Sequence, residues 1–283
     1  MKVLVTGLLQ HESGKTWFTT SLIKTLRSRG VRAAVYKPVA AHSLWYQRLS
    51  LGLTKKLRVL VGEDVSTYIV YLGMTQNIAE LNPVALAIAL PKMENLIDYL
   101  SSLEDQFKTV VLARISNCET GIHRHYLIRT NLEHVHRSLR SLTEALAHEL
   151  KAEEIELDRL VEMLTSNEIS NYLSKCLEAL CSRSDVVVVE SFNDAIEPFR
   201  GALDLVDRVI IVAPGYALVV EDIDELRRGL KEAIAKYGVD GVRIEKVIEV
   251  AKPKLKVYEL SFRLRPSDSD DAIARIAQDL GIL

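Results

Sequence analysis

Apolar residues along this chain follow two rhythms. Val3-Leu4-Val5 is a short continuous apolar run of the kind that forms a strand buried on both faces. Beyond a polar loop, Phe18, Leu22, Ile23 and Leu26 recur at helical spacing until Gly30 supplies a stop. The stretch 31–36 returns as a second strand and ends at Lys37-Pro38. Strand, loop, helix and strand make a βαβ unit, whose crossover is right-handed on a parallel sheet. Further strands are predicted at 68–72, 109–115, 185–190 and 208–213, nearly continuous in Val and Ile. The tail offers 242–250 and 256–262 as strands and 270–280 as a closing helix. The pattern predicts an α/β fold with a doubly wound, mostly parallel sheet.

Between Gly121 and Pro198 there is neither glycine nor proline, so apart from the strand at 185–190 this span is predicted to be long helices. Thr130, with Glu133 three residues on, suggests a capping box for a helix starting near Asn131. Charge is polarised here: residues 114–140 hold five Arg and two Glu, whereas 144–168 hold eight acidic residues against Lys151 and Arg159. No linker or repeat divides the chain. It is read as a single domain over 1–283 with an inserted helical segment at about 118–170.

Composition narrows the partners. The 36 Lys and Arg nearly balance 38 Asp and Glu, so no global attraction to nucleic acid or an anionic membrane is expected. Cys118, Cys176 and Cys181 are odd in number and lack CxxC spacing, suggesting neither a disulfide framework nor a zinc knuckle. With no charged leader and no apolar run of membrane-spanning length, a soluble, cytoplasmic protein is expected, with no membrane partner.

The chemistry concentrates in Thr6-Gly7-Leu8-Leu9-Gln10-His11-Glu12-Ser13-Gly14-Lys15-Thr16, which lies between a strand and a helix. Backbone amides and a helix N-terminus at such a place cradle phosphate oxygens, as in a P-loop. Lys15 would reach the terminal phosphates, Thr16 would offer its hydroxyl to Mg²⁺, and Gly14 would let the main chain approach closely. The usual first glycine, five residues before Gly14, is Leu9 here, and Gly7 stands two residues earlier, so the loop is lengthened. Glu12, Ser13, Gly14, Lys15, Thr16 and Trp17 are the candidate nucleotide contacts, although Glu12 faces either substrate or solvent.

Glu190 ends the apolar strand at 185–190, at the edge where a phosphate-bound metal lies, and is the expected Mg²⁺ or metal-water ligand. Lys37 is a cation at a strand's carboxyl end, placed for an anionic substrate or a migrating phosphoryl group. The bland alternatives are a chance Gly-Lys-Thr, a strand-ending acid and a solvated lysine. Asn193 and Asp194 either position an attacking group or cap their loop.

Val5-Thr6-Gly7, Glu12-Ser13-Gly14-Lys15-Thr16 and Tyr36-Lys37-Pro38-Val39-Ala40 together resemble dethiobiotin synthetase and its relatives, the cobyrinic acid amidating synthases and, more distantly, the division-site-selection ATPases. The resemblance covers about residues 1–43 and 172–215. It implies a P-loop NTPase fold, with Lys37 and Glu190 in the places of the synthetase's second-strand lysine and strand-ending glutamate. Ser191-Phe192-Asn193-Asp194 replaces the synthetase's glycine-rich stretch, and Ala41-His42-Ser43 matches its substrate loop only in part. Membership of the branch is implied, and dethiobiotin synthesis is not. No Asn-Lys-x-Asp guanine signature follows 207–213, and Ala251-Lys252-Pro253-Lys254 argues mildly for adenine.

His123, His125, His134 and His136 invite a metal reading, but two helical residues two apart sit about 200° around the axis and cannot share an ion. A solvated face, or an anion or partner site using Arg124, Arg129, Arg137 and Arg140, is the competing reading. The expected function is a Mg²⁺-dependent ATPase or ATP-dependent ligase with Lys15, Lys37 and Glu190 as catalytic residues and Thr16 and Glu190 as metal ligands. ATP is the nucleotide, the acceptor is an unidentified small anionic or amine molecule, and a homodimer is expected, with nucleic acid disfavoured. The rivals are a nucleotide switch of the division-site type and a metal-delivery GTPase.

Overall fold

Runs that are apolar at nearly every position form the centre of a sheet in the computed structural model of the protein, which describes residues 1–73, 77–104, 106–262 and 265–283. Among the described residues the strands in chain order are β1 (Lys2–Gly7), β2 (Ala33–Tyr36), β3 (Val39–Ser43), β4 (Val84–Ile88), β5 (Val110–Ser116), β6 (His123–Ile128), β7 (Glu153–Ile155), β8 (Val186–Glu190), β9 (Arg208–Ala213), β10 (Tyr216–Val220) and β11 (Leu255–Glu259). The fold is α/β, with two mixed sheets. The chain divides into two compact units, residues 1–38, 70–74 and 173–283 forming the first and 39–69 and 75–172 the second.

In the first unit, β2, β8, β1 and β9 lie side by side and parallel, while β10 turns back antiparallel on β9 and β11 antiparallel on β10. β8 is buried at every position and β1 at all but its first, as parallel strands covered on both faces must be. The outer strand β11 is largely exposed, with Val257 facing solvent. The helix Lys15–Ser28 buries Phe18, Leu22, Ile23 and Leu26, the stripe read from the sequence. Burial of each such side chain stabilises by about 1.5–3 kcal/mol. The helix Ile223–Tyr237 is capped by the Asp222 carboxylate, which accepts from Asp224 N, and the helix Asp271–Asp279 by Asp270, which accepts from Ala272 N and Ile273 N. Strand β8, from far later in the chain, inserts between β1 and β2, so β1 and β2 do not pair.

In the second unit the order is β3-β4-β5-β6-β7. β3 runs parallel to β4, β5 antiparallel to both its neighbours, and β7 parallel to β6. Leu60, Ala85, Ala87, Leu112, Leu127, Leu139 and Leu146 share its apolar core.

Several sequence expectations are corrected. The stretch 68–72 is not a strand but the end of the helix Glu63–Leu72, which opens on Glu63 and Asp64 and buries Val65 and Tyr68 three positions apart. The stretch 242–250 is likewise the helix Ile244–Ala251, burying Ile244 and Val247. Short Val- and Ile-rich runs satisfy both periods, and packing decides between them. The span 118–170 is not a helical insert. It carries β6 and β7 between its helices and is part of the sheet-bearing second unit. Absence of Gly and Pro removes helix breakers without excluding strands. The capping box at Thr130 is not formed: the helix there is the single turn Arg129–Leu132. The longer helix Arg137–Glu149 is capped by the His136 side chain, which accepts from Ser138 N.

Cys181 is a free thiol, whereas Cys118 and Cys176 are disulfide-bonded, against the reading of the cysteines from local spacing. Among the described residues no helix is long and apolar enough to cross a membrane.

Candidate functional site

The parallel strands of the first unit all end on one edge, and β8 sits between β1 and β2. Glu190 is in register with Val5, and Val189 with Tyr36, so Glu190 and Lys37 reach this edge as neighbours from 153 residues apart. Ser191 N continues the ladder to Val5 O at 2.9 Å. The loop after β1 is anchored by Leu8 N on Val212 O at 2.9 Å before it turns into the helix Lys15–Ser28.

Gly14 takes the helix N-cap position at φ 87°, a left-handed conformation costly for other residues, and its carbonyl accepts from Phe18 N at 3.0 Å. With no side chain capping it, the first turn of the helix presents its amides to the loop. Glu12 also has positive φ, 53°, and its side chain lies in solvent. Gly7 has a different reason. A Cβ there would lie 2.2 Å from Ser13 Oγ and 2.7 Å from Lys15 Nζ, so only glycine leaves room for the lysine to fold back over the strand end.

Lys15 Nζ donates to Ser13 Oγ at 3.1 Å, and both residues are buried. Thr16 Oγ1 donates to Glu190 Oε1 at 3.1 Å. Lys37 Nζ donates to the same oxygen at 2.8 Å and to Ser191 O at 2.6 Å. Lys37 and Glu190 are 2% and 0% exposed, a buried ion pair in which each charge depends on the other. Behind them, Ser191 Oγ donates to Thr6 Oγ1 at 3.2 Å, and Thr6 Oγ1 donates to Ala195 O at 2.9 Å.

The loop after β8 is fixed by Asn193, at φ 48°, and by Asp194. The Asp194 carboxylate takes the Arg243 guanidinium at 2.8 Å, and its carbonyl accepts Ile244 N at 2.8 Å. Asp194 thus serves its loop, the second of the two readings given by the sequence. That carboxylate raises the Arg243 pKa above its ordinary value.

Of the sequence-predicted residues, Ser13, Gly14, Lys15, Thr16, Lys37 and Glu190 are connected on one edge. Trp17 is half-exposed and stacks at a tilt on Tyr71, ring centroids 5.6 Å apart. Thr6 and Ser191, to which the sequence reading gave no role, and Gly7, which it read as the displaced glycine of a lengthened loop, line the same place. Their signal was the close spacing of Gly7 to Ser13 and of Ser191 to Glu190.

The convergent Thr16 hydroxyl and Glu190 carboxylate are hard oxygen donors and fit Mg²⁺, which takes one or two protein oxygens and completes its shell with phosphate and water. Among the described residues, no three or more His, Cys, Asp or Glu side chains group as a metal site. His134 and His136 do not share the helix expected from near Asn131: His134 lies in the turn before His136, the cap of Arg137–Glu149, while His123 and His125 alternate on β6. Burial, and after it the Arg114 charge, lowers both His123 and His125 to about 4.

No family model matches the chain, and no curated protein matches its sequence.

Proposed function

We propose that the carboxyl edge of the first sheet binds ATP with Mg²⁺ and that the protein is a P-loop NTPase with a doubly wound sheet, of the branch that includes dethiobiotin synthetase. The observation that carries this reading is the meeting of the Thr16 hydroxyl and the Lys37 ammonium on one buried oxygen of Glu190, beside the loop that holds Lys15. Lys15 holds the terminal phosphates, the amides of Ser13, Gly14 and Thr16 take phosphate oxygens, and Glu190 holds the metal directly or through water. Mg²⁺ would supply charge neutralisation of the phosphate oxygens. Lys37 neutralises Glu190 when no nucleotide is bound and turns its remaining donors toward the transferring group when one is.

This is the chemistry of an ATPase or an ATP-dependent ligase, with an anionic or amine acceptor meeting Lys37, working in the cytoplasm as a homodimer. The burial of Lys37 favours it over a nucleotide switch, because a cation held away from water at 2% exposure is placed for a phosphoryl group rather than a protein partner. Phosphate release from Mg·ATP tests the reading. Glu190→Gln should keep nucleotide affinity and slow release about 100-fold, in the range of losses from removing one transition-state electrostatic group. Release at the wild-type rate in that variant would remove Glu190 from the mechanism.

A further inference from the structure

Arg114 stands in the middle of the apolar strand β5 and is fully buried. Register places its neighbours. Arg114 faces His125 and Ala85, Ser116 faces His123, and Ala87 faces His42. Alternate residues share a face, so His42, Arg114, Ser116, His123 and His125 lie on one side of the second sheet.

The Arg114 guanidinium uses only part of its donor set. Nη2 donates to Asn82 O and Asn82 Oδ1, both at 2.6 Å, while Nε and Nη1 are buried without an acceptor among the described residues. Burial lowers the guanidinium to about 9, and no carboxylate acts to raise it. It is still charged at pH 7. His42, also fully buried, turns a ring N–H toward the Leu86 carbonyl, and among the described residues neither ring nitrogen completes a hydrogen bond of good geometry. His125 Nε2 accepts from Leu60 N at 3.1 Å, which leaves its proton on Nδ1, and His123 Nδ1 shares a proton with Ser116 Oγ at 2.8 Å.

A buried cation with two idle donors and no counter-charge carries a large desolvation penalty, which an anion would offset. Imidazoles that stay neutral supply further donors; no carboxylate acts on Arg114 itself, and the Asp64 charge, which reaches His42, is the smallest of the influences on that ring. We propose that this face of the second sheet is a binding site for a small monovalent anion of carboxylate type, held by Arg114 Nε and Nη1 and by His42, with the less buried His123 at its rim. The closed surroundings of both guanidinium donors select a compact anion, formate rather than a dicarboxylate. The site is independent of the nucleotide reading, since all its residues belong to the second unit.

The test is urea unfolding of the full chain against formate concentration, ionic strength being held constant with a bulky sulfonate. A ligand of the folded state lowers the unfolding constant tenfold for each tenfold rise in concentration once the site is saturated. Wild type and Arg124→Met, which alters an exposed arginine on β6, should both show this slope. Arg114→Met should abolish it. A flat response in wild type, as when water alone satisfies the guanidinium, or an equal slope in Arg114→Met, would overturn the proposal. If Arg114→Met does not fold, diffraction from wild-type crystals grown in formate decides: planar three-atom density within hydrogen-bond reach of Arg114 Nε and Nη1 upholds the site, and water alone or no density there overturns it.

Discussion

Lys37→Met removes the ammonium from a carboxylate that is 0% exposed, while keeping the length and most of the volume of the side chain. Packing is then nearly unchanged, and the effect isolates charge. Glu190 keeps the Thr16 hydroxyl at 3.1 Å but loses the 2.8 Å bond to Lys37, and the Ser191 carbonyl loses its 2.6 Å donor. Breaking one partner of a buried pair costs about 3–5 kcal/mol. That is a large share of the roughly 5–15 kcal/mol that holds a domain folded. In urea the midpoint of the first unit should fall by about 1–5 M, at slopes typical of small domains. The double variant Lys37→Met/Glu190→Gln should recover at least half of that loss, because a neutral amide does not need the cation. A single variant within about 1 kcal/mol of wild type, or a double variant whose loss equals the sum of the two singles, would refute the interdependence of these charges.

Gly7→Ala should reduce ATP affinity at least tenfold by pushing Ser13 and Lys15 out of place; filter binding with labelled nucleotide reads this, and unchanged affinity would mean that the Lys15 position is not the binding one. Thr16→Ala should weaken binding in the presence of Mg²⁺ and leave metal-free binding within about twofold, which a titration with and without EDTA measures. Stability should fall in acid. His42, held by burial at about 4 against 6.5 when unfolded, takes up its proton first in the unfolded chain, so its contribution is complete above pH 6.5 and is lost as pH falls towards 4. Integrated over that shift it amounts to about 3 kcal/mol. His123 and His125, also held at about 4, contribute over the same window, so His42→Phe should remove only its own share of the pH dependence of urea midpoints, and an unchanged profile would show that His42 does not titrate there.

The first unit was the more legible half because its central strands are buried on both faces and write themselves as unbroken Val and Ile runs. β1, β8 and β9 and the helix Lys15–Ser28 fall within a residue or two of where periodicity put them. Runs that are half-buried misled: Val65 and Tyr68, and Ile244 and Val247, pack with helical spacing that only the neighbouring elements reveal. β6 was missed because His123-Arg124-His125 alternates polar residues, and its inward face holds imidazoles where an apolar side chain would signal a strand.

At the site, Gly14, Lys15 and Thr16 were readable because they are contiguous. The Lys37–Glu190 bond was not, since it needs β8 to enter between β1 and β2. Arg114 carried a signal of its own, a lone charge inside Val110–Ser116, that went unread beside the histidines.

Calorimetric titration of the full chain with ATP and Mg²⁺, wild type against Lys15→Ala, tests the central claim most directly. The account predicts saturable binding by wild type and a loss of at least tenfold in affinity in the variant, with its urea midpoint little changed. ATP bound equally well by Lys15→Ala, or not bound by wild type at all, would contradict it.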